Sequence, residues 1–165
     1  MADFSMDTLY HPPFENDPPL KFNISAKTLG LILAILYAIF ALFSLFGVLG
    51  AIGISALGAA LGVREILILV VIGAIVAAVG DVLVAWGGYQ MYKENIDGKR
   101  LAIMGLALGV VASILGAIGA ESPTGIIGTI IINGIIWYLI VISRFPSEAP
   151  LVTSGGSGAP PPPSV

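Results

Sequence analysis

The hydrophobic positions of this chain fall in long unbroken blocks. They show neither the two-residue alternation of a half-buried strand nor the polar stripe of an amphipathic surface helix. No charged residue occurs over the 35 positions from Thr28 to Gly62. Further apolar blocks run from Ile66 to Gly88, from Leu101 to Ala120 and from Thr124 to Ile142, and Asp81 is the one charge inside them. A hydrocarbon layer about 30 Å thick takes roughly 20 helical residues to cross. The pattern therefore predicts an all-α integral membrane protein, a bundle of four transmembrane helices over about 28–50, 66–88, 101–120 and 124–142. As one straight helix the first block would be about 52 Å long at 1.5 Å per residue, more than one crossing needs. Its Gly/Ala-rich end, residues 51–62, is expected either to extend the helix or to lie at the membrane surface.

The borders carry their own signals. Trp86, Tyr89 and Tyr92 close the second span, and Trp137 and Tyr138 close the fourth, as amphipathic rings do at the headgroup level. Asp97-Gly98 reads as the turn in the polar link between the second and third spans. Ser122 is placed to cap the fourth span, with Pro123 at its first helical position. The flanks, residues 1–27 and 144–165, are expected to be disordered tails around a transmembrane domain of residues 28–143. Proline breaks the first at Pro12-Pro13 and Pro18-Pro19, and the second holds Gly155-Gly156-Ser157-Gly158 and then Pro160 to Pro163.

Composition agrees with the pattern: 57% of residues are hydrophobic and 10% charged, with a mean hydropathy of +1.01. A soluble domain carries roughly 25% charged residues. In a four-span arrangement Lys21, Lys27, Lys93, Lys99, Arg100 and Arg144 share one side and Arg64 stands alone on the other. The positive-inside rule makes that side the cytoplasm, so both termini are expected there. With short loops and an acidic N-terminus that shows no sign of a cleaved signal, a bacterial cytoplasmic (inner) membrane is the expected location. Net charge is −3 and no basic patch is present, so nucleic acid is not an expected partner; the lipid bilayer is. There is no cysteine, and the single histidine, His11, lies in the tail. No metal, no cofactor and no enzymatic activity are expected.

Asp81 is the residue on which functional argument rests. A central aspartate costs about 2.5–3.5 kcal/mol to insert, so it should face another helix. Asn133 in the fourth span is its expected partner by depth, with Thr129 one turn away and Tyr37 contributing from the first span. The plain reading is a polar contact that sets helix register; the sharper one is an ion or proton site. Inside lipid, close backbone approach and a few polar contacts must hold helices together. Small residues suited to that role recur as Gly73 and Ala77 in line with Asp81, and as Gly105, Gly109 and Ser113, with Gly116 alongside. Gly47, Gly50, Gly58 and Gly62 continue the theme in the first block, where Tyr37, Phe40, Phe43 and Phe46 form an aromatic edge expected to face lipid. Two functions follow as expectations. One is a non-enzymatic subunit or accessory component of a membrane assembly, bound to other membrane proteins or to itself. The other is a small oligomeric ion- or proton-coupled transporter or channel using Asp81.

Overall fold

The computed structural model describes residues 6–13, 15, 19–20, 24–60, 64–120 and 124–145. Five helices account for nearly all of them: α1 (Met6–Tyr10), α2 (Ala26–Ala60), α3 (Arg64–Tyr92), α4 (Asp97–Ala120) and α5 (Thr124–Ile142). The described chain is all-helical, with three long apolar helices and a shorter fourth. The choice left open for residues 51–60 resolves as helix, since α2 runs unbroken for 35 residues. No proline interrupts that stretch, and its alanines favour the helix enough to carry its glycines.

Helices α2 to α5 form an up-down array in which α3 lies between α2 and α4, and α5 packs on α4. The reversal between α3 and α4 sits three residues before the expected Asp97-Gly98 turn. Glu94 takes a left-handed φ of 62°. The Asn95 N–H reaches the Gln90 carbonyl and the Glu94 N–H the Met91 carbonyl, both at 3.0 Å. That pair of bonds is a Schellman closure, which satisfies the last carbonyls of α3. The Asn95 side chain then accepts from the Asp97 N–H at 3.0 Å and caps α4. Asp97 and Gly98 are thus the first turn of α4 and not a loop. The expected cap Ser122 and Pro123 lie outside the described residues.

The core gathers at one end of the array. Leu29, Leu33 and Tyr37 of α2 meet Val84 and Met91 of α3, Ile103 and Leu106 of α4, and Ile140 and Val141 of α5. Lys27, Lys93, Lys99, Arg100 and Arg144 belong to this same end, where Lys27 Nζ pairs with Glu94 at 3.1 Å. Lys99 Nζ donates to the Ser143 carbonyl at 2.6 Å, neutralising the C-terminus of α5. Arg64 heads α3 at the opposite end.

The described part of residues 1–27, expected from sequence to be a disordered tail, makes contacts with α4 and α5. The Leu9 carbonyl accepts the Trp137 indole N–H at 3.0 Å, and the Tyr10 ring lies 5.9 Å from the Arg100 guanidinium. Leu20 exchanges two backbone hydrogen bonds with the Tyr138 hydroxyl. Ala26 N–H donates to the Arg144 carbonyl at 2.9 Å, and Arg144 N–H to the Ile24 carbonyl. The physical reason is that the ring N–H and O–H at the end of α5 need partners, and a proline-broken segment has spare carbonyls to offer. The C-terminal tail likewise begins later than expected, because Phe145 is buried; residues 146–165 lie outside the described residues. Replacing Trp137 with Phe keeps the ring and deletes one hydrogen bond worth about 1 kcal/mol. Amide exchange in residues 6–13 is expected to quicken by roughly fivefold, read by mass spectrometry, with α3 and α4 unchanged.

Elsewhere the exterior is apolar. Phe43, Phe46 and Leu57 of α2 are each about 70% exposed (68%, 69% and 70%). An apolar surface of that extent is compatible with contact to lipid. Tyr37 departs from the aromatic edge expected to face outward: it is 6% exposed and turned into the core.

Candidate functional site

Glycine sets how close the helices come, and so where Asp81 lies. A Cβ on Gly80 would stand 2.9 Å from the Gly105 carbonyl, and one on Gly105 2.6 Å from the Gly80 carbonyl. Real Cβ atoms do not approach so near, so α3 and α4 touch backbone to backbone beside Asp81. The next residue, Asp81, turns its side chain toward α2. Its Oδ2 accepts a hydrogen bond from Ser44 Oγ, which rises from α2 seven residues beyond Tyr37 on the same face. Tyr37 and Phe40 stand edge to face, with ring centres 5.6 Å apart.

Asp81, Tyr37 and Phe40 share a cavity of about 240 Å³ with wall residues from all of α2 to α5. Asp81 and Ala77 come from α3, Tyr37 and Phe40 from α2, Gly105 and Gly109 from α4, and Thr129 and Asn133 from α5. The four polar residues expected together, Asp81, Asn133, Thr129 and Tyr37, therefore do line one space. The hydrogen bond expected between Asp81 and Asn133 is not formed. Asn133 Nδ2 donates instead to the Leu106 carbonyl at 3.1 Å, across a gap kept open by Gly109, where a Cβ would sit 3.1 Å from that nitrogen. Asp81 has its bond from Ser44 because α2 lies directly against α3 while α5 packs on α4. Ser44 was not among the residues expected here; its seven-residue spacing from Tyr37, about two helical turns, is the signal that could have found it. A carboxylate with neighbouring hydroxyl and amide groups can hold one proton or balance one positive charge. A Ser44→Ala, Asp81→Asn double-mutant cycle in detergent is expected to give a coupling of about 0.6–1.7 kcal/mol, read from equilibrium unfolding.

The expected packing residues divide. Gly73 and Gly105 do lie in the α3–α4 seam, Gly73 against the Ala112 carbonyl and Gly116 N–H. Gly116 lends its backbone, but a Cβ on it would meet nothing within 4 Å. Gly109 faces α5, Ala77 lines the cavity, and the Ser113 hydroxyl bonds back to the Val110 carbonyl within its own helix. The four-residue stripe is thus replaced by a seven-residue one: Gly73, Gly80 and Gly87 on α3 against Ala112, Gly105 and Gly98 on α4. Heptad spacing is what a left-handed crossing of about 20° requires. Gly88, about 100° around the helix from Gly87, receives α2 through Gly30. A Cβ on Gly47 or Gly50 would meet nothing within 4 Å among the described residues, and Gly62 lies outside them.

The aromatic anchors also divide. Trp86 and Tyr89 are exposed neighbours, with ring centres 5.7 Å apart and Lys93 Nζ 5.7 Å from the Tyr89 ring. Tyr92 lies 5.8 Å from Lys27 Nζ. Trp137 and Tyr138 hold the N-terminal segment. No protein family, curated protein or solved structure matches the chain.

Proposed function

We propose that the chain crosses a membrane four times through α2 to α5, with both ends on the cytoplasmic side, and serves as a non-enzymatic component of a larger membrane assembly. At 1.5 Å per residue α5 reaches about 28 Å, close to the thickness of the hydrocarbon layer. Five basic residues at one end of the array and Arg64 at the other support the orientation, and a bacterial inner membrane is the location that goes with this reading.

The observation that carries the assembly reading is the outer half of α2. There α2 and α3 leave between them a groove of about 400 Å³, walled by Gly47, Gly50 and Ala51 of α2 and by Val70 and Ala74 of α3. Gly47, Gly50 and Gly53 each leave room for a neighbouring backbone. A helix of another membrane protein is the occupant this surface suits, since small residues allow close approach in lipid. The test is purification from native membranes in mild detergent, followed by intact mass measurement. Co-purification of the same proteins at constant ratio is expected. Recovery of the chain alone, as a monomer or a homo-oligomer, removes the reading.

The cavity at Asp81 favours a second reading, a proton- or ion-coupled transporter, because ionisable groups inside membranes mark such paths. Asp81→Asn keeps shape and hydrogen bonding but deletes the charge. Intact flux in reconstituted Asp81→Asn protein ends this reading.

A further inference from the structure

The cavity around Asp81 has three features that together specify a ligand. First, its carboxylate has no basic partner there. The residues lining the space include no lysine or arginine, and Lys27 and Lys99 make their contacts with Glu94 and the Ser143 carbonyl instead. A half-buried carboxylate of this kind lacks a counter-charge. Second, Tyr37 and Phe40 form an aromatic corner in the same wall, and ring faces attract cations, above all quaternary ammonium groups. Third, the space is large and mostly apolar. At about 240 Å³ it equals roughly eight waters at about 30 Å³ each. A bare sodium or calcium ion needs oxygens closing tightly on every side, at about 2.3–2.6 Å for calcium. Among the described residues no three histidine, cysteine, aspartate or glutamate side chains come together to do so.

The way in is sideways. Helix α2 touches α5 sparingly, and Phe40 and Ile132, one on each, line the cavity and are both exposed, which argues for a mouth between them. In a membrane that mouth faces the acyl chains, which an apolar cation reaches by partitioning.

We propose that this cavity binds a small organic cation of the substituted ammonium class, its charge against Asp81, its methyl groups against Tyr37 and Phe40, and its entry from the bilayer between α2 and α5. The proposal narrows the second reading above to one ligand class and is independent of the assembly reading.

The test uses the full chain in dodecyl maltoside and phenyltrimethylammonium as the probe, followed by titration calorimetry. One saturable site is expected, from which the uncharged isostere tert-butylbenzene does not displace the probe. Asp81→Asn is expected to weaken binding roughly thirtyfold or more. Phe40→Ala, at the exposed mouth, should weaken it roughly threefold to tenfold, while Phe46→Ala, outside the cavity on the same helix, leaves it unchanged. Should Asp81→Asn fail to fold, the isostere competition and Phe40→Ala decide alone. Equal competition by tert-butylbenzene, or unchanged binding in Phe40→Ala, overturns the proposal. Displacement of the probe by sodium but not by choline also overturns it, and leaves the inorganic-ion reading standing. Ammonium binding without any flux does the reverse: the site stands and the transporter reading falls.

Discussion

Gly87→Leu is expected to separate α3 from α4 and to lower stability by roughly 3 kcal/mol or more, at the upper end of overpacking effects. The size follows from what the new carbon would meet. A Cβ at Gly87 stands 2.5 Å from the Ala102 nitrogen and 2.7 Å from the Gly98 carbonyl oxygen, and both are backbone atoms of α4. A flexible side chain can step aside, whereas a helix backbone moves only as a unit. Moving α4 also opens the Gly80–Gly105 contact and the cavity wall at Asp81. Gly47→Leu is the matched control. It adds the same side chain to an open face of α2, where nothing lies within 4 Å. There the helix gains somewhat less than the roughly 0.8–1.0 kcal/mol that separates glycine from alanine, and stability is expected to hold or rise. Equilibrium unfolding in mixed micelles reads both variants. An equal loss in the two would show that the glycine seam does not hold the array.

The second large effect concerns orientation. Neutralising the α3–α4 link with Lys93→Gln, Lys99→Gln and Arg100→Gln, and adding Val63→Arg and Gly62→Arg at the other end, reverses the charge bias around α3. The positive-inside rule counts lysines and arginines in short loops near helix ends, and this link is such a loop. A chain inserted in one direction is expected to become a mixture of two orientations, seen as partial labelling of a cysteine placed at Asn95 from each side of the membrane. Unchanged orientation would mean that the basic end does not set it. Lys99 also donates to the Ser143 carbonyl, so Lys99→Gln alone serves as the control for lost packing.

Much of the fold was legible because long uncharged apolar blocks leave a coarse signal. They anticipated helices α2 to α5, three long and one shorter, and α5 runs over Thr124–Ile142 as the pattern predicted. Other ends shifted. Helix α3 continues to Tyr92 and α4 begins at Asp97, because the turn is made by Glu94, a residue with no glycine-like signature. The packing seam was visible only in part. Glycine is frequent throughout these helices, and a four-residue spacing finds a stripe on almost any of them. The seam in use, at Gly73, Gly80 and Gly87, is picked out by which neighbour each helix faces, and that is a tertiary fact. The same applies to Asp81. Its depth and its companions Tyr37, Thr129 and Asn133 follow from counting along the spans. Its hydrogen-bond partner depends on α2 being the closer neighbour, which brings in Ser44. The docked segment around Leu9 had no periodic pattern to announce it.

Four crossings with both ends on one side is the claim from which orientation, lateral entry and the exposed α2 surface all follow. The chain has no cysteine, so single cysteines can be placed at will. Cells carrying Leu61→Cys, Asn95→Cys, Ser122→Cys or Ser147→Cys would be treated with a membrane-impermeant maleimide before and after permeabilisation. Four crossings predict labelling of intact cells at positions 61 and 122, and labelling at 95 and 147 only after permeabilisation. Matching behaviour at 122 and 147 would mean that α5 does not cross, and would contradict the four-span arrangement.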